Sequence, residues 1–399
     1  MIKFAESLYS NTKCRTAGYI LFILILIPSL FGSVFAEENT DIKEQLIDEY
    51  SGIYSDYLTD GAGDIINDSL SPYSNGFSLS ELISRIAAGE IPVDSKGIMS
   101  ELGMCLFGEV INVLKSMMLV VALAVLSSFL SNMSSSFGKE SVNYMAYYTC
   151  FIAVVGIASR VFFDVQNIAA SAIENLALFM RCIVPIMLTS LVTCGAVVSA
   201  SALEPFLLGI IQISLSLIRS VFFPLVMVGT ALGIVNSLSE QLKTTGLISL
   251  INKAVKYGLS VLLTIFVAFA GIKSIASSGA DGLTIKLTKF ASSNLIPVVG
   301  GILSDSVETV MNCSAVIKNS VGIIGVIIVF FIAAMPLIKI TASLIVFRIT
   351  AAVCEPIGGK GIVDCITSMA NGISMAFSML AAVEVMFVMI ITIMINITV

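Results

Sequence analysis

The sequence predicts an all-α fold: a polytopic transmembrane helical bundle with broken or re-entrant helices, preceded by a cleaved signal peptide and a short helical extracytoplasmic segment. Three observations predict it. Hydrophobic residues make up 57% of the chain and charged residues only 12%, against about a quarter in soluble proteins. Several apolar runs reach the roughly 20 residues that a helix needs to cross a bilayer. Acidic residues are concentrated near the N-terminus.

Residues 1–36 have the features of a secretory signal peptide that is cleaved at their end. Lys3, Lys13 and Arg15 precede the apolar run 17–27, and small side chains suited to a signal peptidase follow it. The alternative is an uncleaved first transmembrane helix. In either case the residues that follow begin outside the cytoplasm.

Residues 37–109 form an acidic segment that is expected to be extracytoplasmic. They contain fifteen Asp and Glu against three Lys and Arg, a balance of −12, whereas residues 110–399 have a balance of +4. Apolar residues at helical intervals, for example between Leu79 and Ile86, predict short amphipathic helices. These helices either pack on the outer surface of the membrane domain or form a docking face for another protein.

Residues 110–399 form the predicted multi-pass membrane domain. Five apolar runs are long enough for one crossing each, namely 114–131, 144–163, 176–200, 321–338 and 373–396. A shorter run at 257–272 is flanked by lysines, whose long side chains can reach the membrane interfaces. The run 205–236 is too long for one helix and is interrupted by Arg219 and Pro224.

The distribution of basic residues predicts how the run 205–236 is used. Cytoplasmic loops carry an excess of Lys and Arg, and the loop with Lys243, Lys253 and Lys256 is basic. We count crossings from an external N-terminal segment and place a second external loop at 164–174. The basic loop then stays cytoplasmic only if 205–236 is a broken helix or a re-entrant hairpin. The alternative is a single crossing.

Ionisable residues inside apolar runs are costly, by about 2.5–3.5 kcal/mol each on insertion scales, and usually face the interior of a bundle. Arg219 and Glu384 have long apolar flanks, and Arg348 and Glu355 follow the span 321–338. We expect these four charges to lie in the bundle interior. Arg181 is interpreted more simply as marking a helix end.

Two segments of the membrane domain share a weak pattern. In each, a proline precedes a Glu-Pro pair by 19 positions, with small residues before the pair. The pattern predicts two parallel repeats with broken helices, and a chance match among the nine prolines is the alternative. The residues proposed to break the helices are Pro185, Glu204 and Pro205 in the first segment and Pro336 and Pro356 in the second.

The segment 283–320 is expected to contain two amphipathic helices around a hinge. Apolar residues recur at helical spacing on both sides of a break rich in proline and glycine. The crossing count places this segment, like the C-terminus, on the external side. The predicted hinge and polar lip are Pro297, Gly300, Gly301, Asp305 and Glu308.

The chain contains no histidine, which excludes histidine-dependent catalysis, proton relays and metal ligation. The eight cysteines form no CxxC pair and are interpreted as apolar packing residues, with a Cys354–Cys365 pairing as the alternative. No GxxxxGK[ST] loop for ATP is present. The sequence therefore predicts neither an enzyme nor a cofactor or metal site.

The order of these features resembles one family. The signal peptide and acidic segment are followed by motifs at 181–185, 195–205, 297–308 and 348–356. In this order and over nearly the whole mature chain, they resemble stage III sporulation protein AE of endospore-forming bacteria.

The resemblance implies a permease-like subunit of the channel complex that links the mother cell and the engulfed forespore. It implies a place in the mother-cell membrane around the forespore and a requirement for late forespore development. The implied partners are ring-forming membrane proteins, a cytosolic ATPase and, through them, a forespore membrane protein. The lipid bilayer is the remaining partner, and no nucleic acid is expected.

Three functions are compatible with the residues. The first is a non-enzymatic transport or secretion subunit, in which interior charges let water or solute approach. The second is a self-contained secondary transporter of a small solute, with its site between the two repeats. The third is a purely structural membrane scaffold, in which intramembrane charges serve only to pair helices.

Overall fold

The computed structural model describes Gly63 and residues 95–137, 140–238, 244–268, 299–356 and 359–397. The predicted signal peptide, most of the acidic segment and Pro297 lie outside the described residues. So do the first half of the segment 283–320 and the side chains of Asp305 and Glu308.

Long α-helices make up nearly all of the described chain. They are α1 Ser95–Phe137, α2 Glu140–Thr193, α3 Val197–Leu217, α4 Phe223–Leu238, α5 Thr245–Ala268, α6 Val299–Cys354 and α7 Lys360–Ile395. A π-helical turn, Ile218–Phe222, joins α3 and α4 into one rod, called here the α3–α4 rod. The described residues contain no strand.

Six of these elements are long and apolar enough to cross a membrane: α1, α2, the α3–α4 rod, α5, α6 and α7. Their apolar parts are Gly103–Phe129, Tyr147–Thr193, Glu204–Leu238, Thr245–Ala268, Ser314–Cys354 and Lys360–Ile395. The prediction of an all-helical membrane bundle is thus confirmed at this level. The predicted boundary at residue 109, however, falls inside α1 rather than between two elements.

The core of the bundle is formed by α2, α6 and α7, which pack against one another. A Cβ atom at Gly322 would contact Ile395 and Met187, and one at Gly325 would contact Ile183. Residue numbers thus rise along α6 while they fall along α2 and α7. Therefore α6 runs antiparallel to both neighbours, and glycine lets the three backbones approach closely.

The prediction of two crossings at 144–163 and 176–200, joined by a loop at 164–174, is wrong. α2 is a single helix through the first run and most of the second. Asp164 and Glu174, which suggested a loop, recur with Asn167 and Ser171 at intervals of three or four positions, so they occupy one face of the helix. Phe162 and Leu176, on the opposite face, are buried.

The prediction of a broken helix or hairpin over 205–236 is also wrong, because the α3–α4 rod is continuous. A proline ring clashes with the carbonyl group four residues earlier in a regular helix. Here the Phe223 N–H donates to the carbonyl of Ile218, five residues back. This wider turn directly precedes Pro224 and lets the helix continue past it.

The two predicted repeats are absent from the described structure. Pro185, Pro205 and Pro336 lie inside α2, α3 and α6 rather than at helix breaks, and Glu204 also lies within α3. Of the five proposed breaks, Pro356 alone lies in a turn between helices. Since α2 and α6 are antiparallel, the segments that contain them cannot form parallel repeats.

The described half of the predicted hinged segment is not a separate amphipathic helix. Gly300 and Gly301 lie in the first turn of α6, which continues without interruption to Cys354. The segment therefore leads directly into a helix that is long and apolar enough to cross a membrane. Cys354 and Cys365 are both free thiols, which removes the alternative of a disulfide between them.

Candidate functional site

One side of α2 carries a row of exposed polar residues. Except for the last two, successive members of the row are three or four positions apart. The last two are seven positions apart, and the exposed residue between them is Leu178. At a rise of about 1.5 Å per residue the row is about 31 Å long, close to the thickness of the hydrocarbon core. Its members are Arg160, Asp164, Asn167, Ser171, Glu174 and Arg181.

The α3–α4 rod adds a second row beside the first. Gln212, Ser216, Arg219 and Ser220 are exposed. After α2 ends at Thr193, the chain turns through residues 194–196, and Gly195 has a φ of 89°. Glycine adopts this left-handed conformation without strain. We call the two rows together the polar face.

Two side-chain contacts join the rows. Arg181 Nη2 donates to Gln212 Oε1 at 2.7 Å, and Arg219 Nη1 donates to Glu174 Oε1 at 3.2 Å. The second contact is an ion pair whose side chains are 73% and 53% exposed. From one contact to the other, the residue number rises by seven on α2 and falls by seven on the rod, as expected for an antiparallel helix pair. The π-helical turn contains Arg219, so this irregular turn carries one half of the ion pair.

The polar face lies at membrane depth wherever the bilayer is placed along these helices. Any 20 consecutive residues of Tyr147–Thr193 contain at least two charged members of the row on α2. Any 20 consecutive residues of Glu204–Leu238 contain Arg219. Because a crossing takes about 20 residues, any bilayer that α2 and the α3–α4 rod cross would contain charged side chains of both rows.

Lipid tails cannot be the surroundings of this face. A charged side chain at the centre of a bilayer costs about 2.5–3.5 kcal/mol on insertion scales. The polar face carries Arg160, Asp164, Glu174, Arg181 and Arg219, and lipid would offer none of them a hydrogen-bond partner. The face therefore requires water or other protein groups in front of it.

Two ionisable residues lie in the core, away from the polar face. Glu384 on α7 is 1% exposed, and within the described part of the chain its Oε2 atom has no hydrogen-bond partner. Lys318 on α6 is 3% exposed and donates from Nζ to the backbone oxygen of Ile397 at 2.7 Å. Lys318 belongs to the predicted amphipathic segment 283–320, and no local pattern marks it as buried.

The prediction that four charges lie in the bundle interior is wrong for three of them. Arg219, Arg348 and Glu355 are exposed, whereas Glu384 is buried. Arg348 Nη2 donates to Asn371 Oδ1 at 3.0 Å, and Glu355 lies in the turn after α6. Arg181 does not mark a helix end, since α2 continues past it to Thr193. The structure thus brings Arg219 together with Glu174, which the sequence had placed in a loop.

The described residues hold no group of three or more Cys, Asp and Glu side chains that could bind a metal ion. What the polar face can do chemically is to donate and accept hydrogen bonds and to form ion pairs within a membrane. Water, polar solutes or polar protein surfaces are the partners that fit it.

Comparisons with known proteins agree with the resemblance noted in the sequence. The sequence model of the family described as stage III sporulation protein AE matches residues 77–398. The chain is 29% identical to the stage III sporulation protein AE of Bacillus subtilis (strain 168) over 366 residues, which cover 90% of each chain. No solved structure matches it. The matched residues include every helix from α1 to α7, and the chain belongs to the stage III sporulation protein AE family.

Proposed function

We propose that this chain is a non-enzymatic, permease-like membrane subunit of the secretion-like channel complex between mother cell and forespore. Its family has a sporulation role, and its six long apolar helices suit a multi-pass membrane protein. The observation that carries the proposal is the exposed Glu174–Arg219 ion pair at membrane depth. A helix pair that faced only lipid would not retain it.

The proposed location is the mother-cell membrane that surrounds the forespore. The proposed partners are ring-forming membrane proteins, a cytosolic ATPase and, indirectly, a forespore membrane protein. The chain has no GxxxxGK[ST] loop, so a separate ATPase would have to supply energy. The predicted acidic segment and the residues before α6 are the parts proposed to contact the ring-forming proteins.

The number of crossings supports an arrangement in which both proposed contact regions lie on one side. If α1, α2, the α3–α4 rod and α5 each cross once, residues 269–298 return to the side on which residues 37–94 lie. The short connection after α4, with Lys243, falls on the other side. With an external N-terminal segment, that connection, which contains one lysine and one glutamate, is cytoplasmic.

We expect single cysteines at Ser74 and Ser277 to react with a membrane-impermeant maleimide on intact protoplasts. A cysteine at Ser239 should react only after permeabilisation, because three crossings separate it from Ser74. The measurement is labelling of each variant in a background free of the natural cysteines. Labelling of Ser239 and Ser277 from the same side would rule out the single crossing by α5.

The transporter alternative has lost its structural support, because it placed the site between two parallel repeats that are absent from the described structure. The scaffold alternative differs from the proposal in a testable way. If the ion pair only holds α2 to the α3–α4 rod, two apolar side chains of similar size should replace it without loss of function. If the polar face serves a conduit, they should not.

We therefore expect the double variant Glu174→Leu/Arg219→Leu to reach the membrane in normal amount but to fail in sporulation. The measurements are the number of heat-resistant spores and a reporter of late forespore gene expression, compared with a strain that lacks the protein. The matched control neutralises an exposed Arg and Glu away from the polar face, Arg348→Gln/Glu355→Gln, and should sporulate normally. Normal sporulation of the leucine variant would favour the scaffold.

A further inference from the structure

We propose that the polar face binds a second copy of this chain, in a dimer whose two-fold axis runs along the membrane normal. Such a dimer involves the same ion pair that carries the proposed function, but it is tested by cross-linking and co-purification, which do not depend on sporulation. It follows from three features of the face: its depth in the membrane, the arrangement of its charges and the small residues between them.

The first feature is that the described residues leave the polar face exposed at a depth in the membrane where its charges need polar partners. The side of α2 opposite the face packs in the core, where Phe162, Leu176 and Met180 are buried. Within the described residues, by contrast, Arg219 and Glu174 remain 73% and 53% exposed although they contact each other. Arg219 falls within any 20-residue crossing of the rod, and Glu174 is in contact with it. A polar surface of another chain in the same membrane would supply them with partners.

The second feature is that the face is complementary to itself. Two copies in one membrane have the same orientation. Residues at a given depth on one copy therefore face residues at the same depth on the other. A two-fold axis along the membrane normal then places α2 of one copy opposite the α3–α4 rod of the other. Glu174 faces Arg219 of the second copy, and its own Arg219 faces that copy's Glu174.

The same two-fold axis also pairs polar groups at the depth of Arg181 and Gln212. Arg181 and Gln212 are at the same height, as their hydrogen bond shows. The two-fold axis places the Arg181 guanidinium opposite the Gln212 amide oxygen of the second copy. Had α2 instead packed against α2, Arg181 would meet Arg181 and Glu174 would meet Glu174. Such like-charge contacts are costly, so the charges select the crossed arrangement.

The third feature is the size of the residues between the charges. Ser171, Ser216 and Ser220 are small and exposed on the polar face. Small polar residues at helix contacts within membranes let backbones approach and form hydrogen bonds between helices. Room for water also remains around the guanidinium groups. The resulting interface is polar and narrow, and it consists of one helix from each copy on either side of the axis.

Cross-linking tests the proposed neighbours directly. In chains without natural cysteines, one tagged copy carries Ser171→Cys and a differently tagged copy carries Ser220→Cys. These positions differ in height by about 3 Å at 1.5 Å per residue. Oxidation in membranes is expected to give a disulfide-linked dimer that contains both tags. Val261→Cys, on an exposed side of α5, serves as the control and should not link to Ser171→Cys.

Charge reversal provides a second test that needs no cysteine. A copy with Glu174→Arg presents two arginines at this height, and a copy with Arg219→Glu presents two glutamates. Each variant alone is expected to lose self-association, measured by co-purification of two tags from mild detergent. Co-expression of the two should restore association, because both contacts across the axis again join opposite charges. The contact between positions 174 and 219 within each chain stays broken.

Two outcomes would overturn the proposal. One is the absence of the mixed-tag product for Ser171→Cys with Ser220→Cys, which would mean that another protein or another part of the same chain covers the face. The other is a failure of co-expression to restore association after both single variants have lost it. Retention of association by both single variants would equally exclude this face as the contact.

Discussion

A chain that ends at Ile395 is expected to lose about 3 kcal/mol of folding stability relative to the full chain. This loss comes in addition to that caused by removing the apolar contacts of Ile397. The reason is Lys318. Its ammonium group is buried in the bundle and donates to the backbone oxygen of Ile397. Shortening the chain removes this acceptor and leaves a buried charge without its partner, a larger penalty than the hydrogen bond itself contributes.

The change Lys318→Met identifies the part of this loss that belongs to the ammonium group. Methionine fills a similar volume and needs no acceptor, so in the full chain it should be close to neutral or slightly stabilising. In the shortened chain it should recover most of the loss. The measurement is thermal unfolding of the four proteins in detergent, combined as a double-mutant cycle. If shortening the chain lowered stability equally with and without the change Lys318→Met, the buried ammonium group would not be the cause of the loss.

The helical class of the protein could be predicted because its signals are local. Apolar runs and helical spacing depend on neighbouring residues only, and the structure has six elements suited to crossing a membrane, as the sequence expected six full crossings. The individual crossings were less predictable. The sequence divided α2 in two and made a hairpin of the α3–α4 rod, and these two errors cancel in the count.

The error in α2 came from treating charges as evidence for a loop. Asp164 and Glu174 interrupt an apolar run when they are read along the chain. Together with Arg160 and Arg181, and with the polar residues Asn167 and Ser171 between them, they form one face of a helix. That row was visible in the sequence, and it could have revealed half of the polar face.

The other half depends on contacts that no local pattern contains. Arg219 meets Glu174 at a separation of 45 positions, and Lys318 meets Ile397 at a separation of 79. Each contact is set by the register between two packed helices, which depends on how their side chains interdigitate. Length and composition predict that such helices pack together. They do not determine which residues of the two helices lie side by side. For this reason the sequence placed Arg219 inside the bundle and did not identify Lys318 as a core residue.

A side chain at Gly372 is expected to destabilise the bundle strongly, because three helices meet there. Gly372 lies on α7, and a Cβ atom added to it would contact Thr230 of α4 and lie 2.8 Å from Cε2 of Phe162 on α2. Gln166 of α2 donates from Nε2 to the Gly372 carbonyl at 3.3 Å. These contacts hold the backbone of α7 at a close distance that only glycine permits.

We expect Gly372→Val to cost about 2–3 kcal/mol, since the inserted methyl groups must displace Phe162 or separate α7 from α4. Neither neighbour can move freely. Phe162 is 3% exposed, and the Thr230 hydroxyl is held by its bond to the carbonyl of Val226 at 2.9 Å. Movement of α7 would also weaken the bond from Gln166, whose Oε1 already has no partner within the described residues.

The matched control is Gly156→Val on α2, where an added Cβ meets no atom within 4 Å. This variant should be near neutral, because glycine is itself a poor residue for a helix interior. Thermal unfolding in detergent, and the fraction of each variant that remains monodisperse after heating, distinguish the two sites. Equal stability of the two variants would mean that α7 does not pack closely against α2 and α4. A loss confined to Gly372→Val would instead place the rigid contact of the bundle at this glycine, beside the rod that carries Arg219.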